Sequence, residues 1–154
     1  MMKYLRKLDI QLVKGEYQNP VKGQVRAPEQ VYVVFKAIKD KAQETLIGVY
    51  LNNELEVNAY DTLSVGSSTE TGVSSDEIFN RAVITRSRYI ILIHNHPSGK
   101  AAPSPEDKEA ITSLQEGAKW LKKVLLDFII VGDNEYWSMF EEEDGGEYSL
   151  GAVH

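Results

Sequence analysis

The stretch that decides how this chain is read is "LIHNHPSGKAAPSPED", residues 92–107. It opens on the end of "SRYIILI" (87–93), a short, nearly all-apolar run of the kind that forms a central strand buried on both faces. In a strand, residues two apart share a face, so His94 and His96 project together. Pro97 and Gly99 then turn the chain sharply. Ser104-Pro105-Glu106-Asp107 follows as a helix start, with a Ser cap, Pro at the first helical position and an acid three residues after the cap. Strand, turn and helix thus form one unit that carries two imidazoles and a carboxylate.

Working outward, "SSDEIFNRAVITR" (74–86) opens on a Ser cap with acidic first-turn residues. It places Ile78, Phe79, Ala82 and Val83 on one helical face. "TLIGVYLNNELEVNAYDTLSVG" (45–66) reads as two strands around an Asn52-Asn53 turn, the second strand the longer. "APEQVYVVFKAIKDKAQ" (27–43) has helical spacing with Pro28 near its start, and "KYLRKLDIQLVKG" (3–15) alternates as a strand does. Downstream, "SPEDKEAITSLQEGAKWL" (104–121) is a helix, and "KVLLDFIIVGDNEYWSMF" (123–140) reads as two strands around Gly132-Asp133-Asn134. The remaining "EEEDGGEYSLGAVH" (141–154) is acidic and reads as a flexible tail. Strands and helices alternate, so the expected fold class is α/β (α+β): a three-layer α/β/α sandwich around a mixed sheet. The expected organisation is an extension over 1–40, a strand plus the start of the first helix packed on the domain, then the domain itself over 41–140, then the tail.

A chain of 154 residues suits one hydrophobic core. It holds no cysteine, which removes disulfides, cysteine zinc fingers, iron–sulfur ligation and thiol nucleophiles. Any metal must be held by His, Asp, Glu or backbone oxygens, and the histidines are His94, His96 and His154, the last assigned no role. The net charge of −6 argues against a sequence-independent grip on nucleic acid. Lys3, Arg6, Lys7, Lys14, Lys22 and Arg26 do crowd the first 26 residues, and read as a solvated basic face. No apolar run reaches the roughly 18 residues of a membrane span. "MMKYLRKLDI" also lacks the apolar core of a secretory signal, so the expected location is cytoplasmic.

The pair of imidazoles at a strand mouth needs hydrogen-bond partners or a metal. A catalytic zinc takes three protein ligands and an open position for water. With no third histidine nearby, the third ligand falls to a carboxylate, and Asp107 stands 11 residues past His96 on the first turn of the next helix. Two histidines, an aspartate and water suit Zn²⁺, though Mn²⁺ or Fe²⁺ would tolerate the same set. Taken alone, Asp107 is an ordinary capping residue and a His-x-His is ordinary surface decoration. Their combination within 14 residues favours the metal. The adjacent letters H-N-H do not make an HNH nuclease, whose named residues are spread along a ββα motif.

"HNHPSGKAAPSPED" resembles the JAMM (MPN⁺, JAB) metalloprotease pattern of His-x-His-Pro, a spacer and Ser-x-x-Asp, and more closely its RadC branch. The flanks "SVGSSTETGVSSDEIFNRAVI" and "VLLDFIIVGDNEYWSM" resemble that branch too, so the likeness spans roughly residues 42–140. It implies a cytidine-deaminase-like, JAMM-type fold. It also implies zinc on His94, His96 and Asp107, Ser104 as a hydrogen-bond donor to the developing oxyanion or attacking water, and Glu44 as general base. Glu54 and Glu56 are weaker alternatives for the base. Two departures stand out: Phe128 where RadC-like chains commonly have His, and "SVGS" for the usual Gly-Thr. The helical N-terminal domain of many RadC proteins has no counterpart in the first 40 residues.

The resemblance implies a zinc-dependent hydrolase of a peptide or isopeptide bond, acting on a peptide or protein substrate that includes ubiquitin-like conjugates among its candidates. A non-enzymatic scaffold of the same fold is the second expectation. A role in DNA metabolism, suggested by the RadC label, is the third, and neither the acidic balance nor any aromatic-basic interleaving supports it.

Overall fold

Seven consecutive buried residues, Tyr89–Asn95, make β3 the middle of a five-stranded sheet. In the computed structural model, which describes residues 2–19, 21–65 and 75–149, the strand order is β2-β1-β3-β4-β5. The other strands are β1 (Thr45–Leu51), β2 (Val57–Val65), β4 (Val124–Val131) and β5 (Tyr136–Ser138). β3 pairs antiparallel with β1 and parallel with β4, while β1–β2 and β4–β5 are antiparallel, so the sheet is mixed. The helices are α1 (Pro28–Phe35), α2 (Ser75–Ile84), α3 (Pro105–Trp120) and α4 (Met139–Glu143).

Alternation along β3 sorts its side chains onto two cores. Ile91 and Ile93 join Val25, Val31, Phe35 and Ile38 from the α1 side. Ile90 and Leu92 join Ile78, Phe79, Ala82, Ile111, Leu114 and Ala118 from α2 and α3. The three-layer sandwich expected from the sequence is formed. The connection from β3 to parallel β4 runs through α3, as a parallel pair requires, and β2 reaches β3 on the far side of β1 by a second crossover that contains α2.

The β1–β2 turn is built as its asparagine suggested. Asn52 Oδ1 accepts from the Glu54 and Glu56 N–H groups at 2.9 Å each, and Leu55 takes the left-handed φ of 63°. Where the sequence is read differently by the fold, packing is the cause. The helix expected over 27–43 ends at Phe35 and tightens into a 3₁₀ turn over Lys36–Asp40. Residues three apart stack in a 3₁₀ turn, which keeps Phe35 and Ile38 both against the core. Val83, expected on the buried face of α2, is 53% exposed, because the face in contact with the sheet is Ile78, Phe79 and Ala82. The Ser74 cap of that helix, Gly66 and Ser67 of the "SVGS" departure, and His154 lie outside the described residues.

Two further corrections concern the ends. The strand expected over residues 3–15 is not formed: among the described residues the segment has no partner strand, and an unpaired strand leaves its backbone to water. The tail is not loose as far as Tyr148. Its first residues complete α4, and Tyr148 is buried, its N–H donating to the Arg26 carbonyl at 2.6 Å.

Candidate metal centre

The site lies at the carboxyl end of β3, where open sheets of this kind commonly hold ligands. His94 continues the face of Ile90 and Leu92 towards α2 and α3, and its side chain is 5% exposed. His96 is one residue beyond the strand, its side chain 15% exposed, and its N–H still donates to the Val131 carbonyl at 3.2 Å. The two rings stand at 88° with centroids 4.9 Å apart, so the shared face expected from the His-x-His spacing is formed.

The turn that follows is seated on the β4–β5 loop. Gly99 takes a φ of 83°, its N–H donates to the His96 carbonyl, and its own carbonyl accepts from the Asp133 N–H at 2.8 Å. Gly132 passes so close that a Cβ there would lie 2.5 Å from the Gly99 oxygen and 2.9 Å from the Ala101 nitrogen. This packing aims the chain back at the site, where α3 begins. Ser104 Oγ accepts from the Asp107 N–H at 3.1 Å, and Asp107 Oδ2 accepts from the Ser104 N–H at 2.8 Å. The capping box is therefore complete, and the same carboxylate, 8% exposed, also faces both histidines. Asp107 Oδ2 stands 3.0 Å from His96 Nε2, and Oδ1 stands 3.3 Å from His94 Nε2.

Each imidazole has its other nitrogen held by an acceptor. His96 Nδ1 lies 2.9 Å from the Lys100 carbonyl, and a carbonyl only accepts, so Nδ1 carries the hydrogen and Nε2 presents a lone pair. His94 Nδ1 lies 2.9 Å from Glu44 Oε1, which directs His94 in the same way. His94 Nε2 is left buried with no hydrogen-bond partner, because the 3.3 Å approach of Asp107 lacks hydrogen-bond alignment. Acceptors that fix ring tautomers so, with a carboxylate closing the cluster, are the usual surroundings of metal-binding histidines. Ligand atoms of Glu44, His94, His96 and Asp107 all lie within 4.8 Å of one another. The residues fit a metal ion: an orphaned buried nitrogen, a second imidazole nitrogen and carboxylate oxygens converge on one point.

Charge reinforces the cluster. Burial pushes the Asp107 carboxyl up, but the adjoining His94 and His96 rings and the Ser104 backbone N–H outweigh it and hold Asp107 well below the usual carboxylate range. Burial opposes a charge on His94, yet Asp107 and Glu44 overcome it and raise its pKa. The bond to His94 lowers Glu44, whose side chain is 48% exposed, so it stays a carboxylate.

A residue with no role in the sequence reading carries this geometry. Asn95, between the histidines, points to the opposite face and is completely buried. Its Oδ1 accepts from the Thr45 N–H at 2.7 Å, and its Nδ2 donates to the Lys41 and Gln43 carbonyls at 3.3 and 3.2 Å. Asn95 thereby ties down the segment that carries Glu44. The signal was a polar residue in the midst of a buried strand, which has to be hydrogen-bonded. Asp127, also given no role in the sequence reading, ties β4 to the segment of Ser138 and Phe140 and to Tyr148. A register shift between Ile90 and Ile91 sets Leu125 opposite Ile90 and Asp127 opposite Ile91, leaving Leu126 without a partner. Asp127 accepts from the Phe128 and Phe140 N–H groups and from the Ser138 and Tyr148 hydroxyls. Burial still pushes its carboxyl up to about 6.

The pattern of a RadC-like JAB domain matches residues 25–145. The chain belongs to this family. Its relatives include a UPF0758 protein of Methanosarcina mazei, 34% identical over 122 residues, which are 79% of this chain and 53% of that protein. One of Methanococcoides burtonii is 34% identical across 89% of this chain and 58% of its own length. UPF0758 protein SSU98_1084 of Streptococcus suis is 38% identical across 70% and 44%. The chain spans about half the length of these relatives. Membership gives the mixed sheet and the His/His/Asp cluster a common frame. Within it, Phe128 supplies a buried ring edge-on to His94, centroids 5.1 Å apart, where RadC-like chains commonly have a histidine. Among the described residues, no helix is long and apolar enough to cross a membrane.

Proposed function

We propose that this RadC-like JAB domain is a zinc-dependent hydrolase that cleaves a peptide or isopeptide bond. The observation that carries the reading is His94 Nε2, buried without a hydrogen-bond partner beside His96 Nε2 and Asp107. His94, His96 and Asp107 are the three ligands. When bound, zinc lowers the pKa of a coordinated water towards neutrality and polarises a substrate carbonyl.

The chain's own groups supply the rest. Glu44 is ionised and half-exposed at the edge of the cluster, so it takes the proton of the attacking water and passes it to the leaving amine. Ser104 Oγ accepts from the Asp107 N–H through a lone pair, which leaves its hydroxyl hydrogen to donate to the oxyanion that develops on the substrate. The capping box thus fixes both the serine and the ligand carboxylate.

One contact favours a second reading. Glu44 bonded to His94 Nδ1 also acts as an orienting carboxylate, which a metal-holding scaffold without turnover would use equally well. The test is metal content by elemental analysis, with hydrolysis measured on a panel of peptide and isopeptide-linked substrates. About one zinc per chain, lost in His94→Ala and in Asp107→Ala, is expected. Glu44→Gln keeps the zinc and loses hydrolysis. Zinc that survives His94→Ala defeats the site, and a zinc-loaded wild type without turnover on any substrate leaves the scaffold.

A further inference from the structure

Residues 2–15 form a solvent-exposed arm that has the pattern of a strand and, among the described residues, pairs with no strand. Met2, Tyr4, Leu8, Ile10 and Leu12 fall on one side of the alternation and are 94%, 98%, 81%, 53% and 69% exposed. Arg6 stands in that row, and the other side carries Lys3, Lys7, Asp9 and Gln11 together with Leu5 and Val13, 98% and 82% exposed. So long a row of exposed large apolar side chains marks an interaction surface.

The arm leaves the body at the edge of the sheet. The Glu16 and Tyr17 N–H groups donate to the Tyr60 hydroxyl on β2 at 2.7 and 3.3 Å. Gly15 crosses so close to the Tyr60 ring that a side chain there would collide with it. β2 is the first strand in the order, and among the described residues no strand pairs with its outer edge. A free edge of nine residues offers a row of unpaired N–H and C=O groups about 30 Å long. Residues 3–13, fully extended, reach about 36 Å. Charge selects the occupant. The arm carries four cations against one anion, so in a chain of net −6 the remainder carries −9. Glu54 and Glu56, exposed in the β1–β2 turn, stand at one end of that free edge.

We propose that the arm adds as a strand to the β2 edge of a second copy of this chain, and that the two copies exchange arms reciprocally. Main-chain hydrogen bonds along β2 give the affinity, and the alternate apolar side chains set the register. The exchange is isologous, so it closes at two copies and covers both free edges at once.

The absence of cysteine makes the test clean. One tagged protein carries Ile10→Cys, the other Thr62→Cys on exposed β2, and the two are mixed and oxidised. Neither variant can form a disulfide within one chain between arm and edge, so an arm-to-edge disulfide between them reports exchange. Light scattering of the wild type is expected to give a dimer that weakens with salt, and Leu8→Lys with Ile10→Lys to give a monomer. Circular dichroism and zinc content of that double variant are expected to match the wild type, which separates this proposal from the metal site. A monomeric wild type at tens of micromolar (about the range where weak edge pairing would register) overturns it. So does a dimer that persists in the double variant, or a pair of cysteine proteins that fails to cross-link.

Discussion

Removing the Asn95 side chain tests how the site is held together. In Asn95→Ala the Thr45 N–H loses its acceptor, and Thr45 is only 4% exposed, so water does not replace the bond well. A buried donor left unsatisfied costs about 1–3 kcal/mol. The Lys41 and Gln43 carbonyls belong to exposed residues where water substitutes, so losing those bonds adds about 1 kcal/mol between them. The expected loss is about 2–4 kcal/mol, read by urea unfolding followed through tryptophan fluorescence. Zinc content is expected to stay near one per chain, because His94 and His96 face the other side of the strand. Hydrolysis is expected to fall, because the segment bearing Glu44 is no longer tied to β3. A loss below about 0.5 kcal/mol would mean that Asn95 does not anchor this segment, and the reasoning would fail.

Zinc added to the metal-stripped protein at 100 times its dissociation constant stabilises the fold by about 2.7 kcal/mol, a rise of about 5–11 °C in melting temperature for a chain of this size. In the metal-free protein the raised pKa of His94 stabilises the fold below pH 6.5 and loses that contribution as pH rises through the folded value. Zinc needs the neutral ring, so at one fixed zinc concentration the rise in melting temperature is expected to grow from pH 6 to pH 8; a rise independent of pH would refute the assignment of His94. Tyr148→Phe removes the hydroxyl that donates to the Asp127 carboxylate at 2.5 Å and is expected to cost about 2 kcal/mol in chemical denaturation. Gly132→Ala drives a methyl into the Gly99 and Ala101 backbone and is expected to cost about 1–3 kcal/mol and weaken zinc binding measured by competition with a chelator.

The sequence by itself determined the elements that rest on local pattern. The all-apolar run before His94 is the central strand, Asn52-Asn53 makes its turn through its own side-chain acceptor, and Ser104-Pro105-Glu106-Asp107 caps α3. These signals are complete within a few residues, because alternation, capping and turn chemistry act over that distance. The His94, His96 and Asp107 cluster was legible for the same reason, since one strand, one turn and one helix start carry it.

Other features needed the tertiary structure. Whether residues 3–15 form a strand depends on a neighbour to pair with, and alternation says nothing of that. The exposure of Val83 depends on where the sheet meets α2, and the burial of Tyr148 depends on a carboxylate 21 residues away that a register shift turns inward. Glu44 meets His94 across 50 residues of chain, and Asn95 across a similar span holds it there. A hydrogen bond of that separation exists only because β1 and β3 are neighbours in the sheet, and strand order is a property of the packed whole.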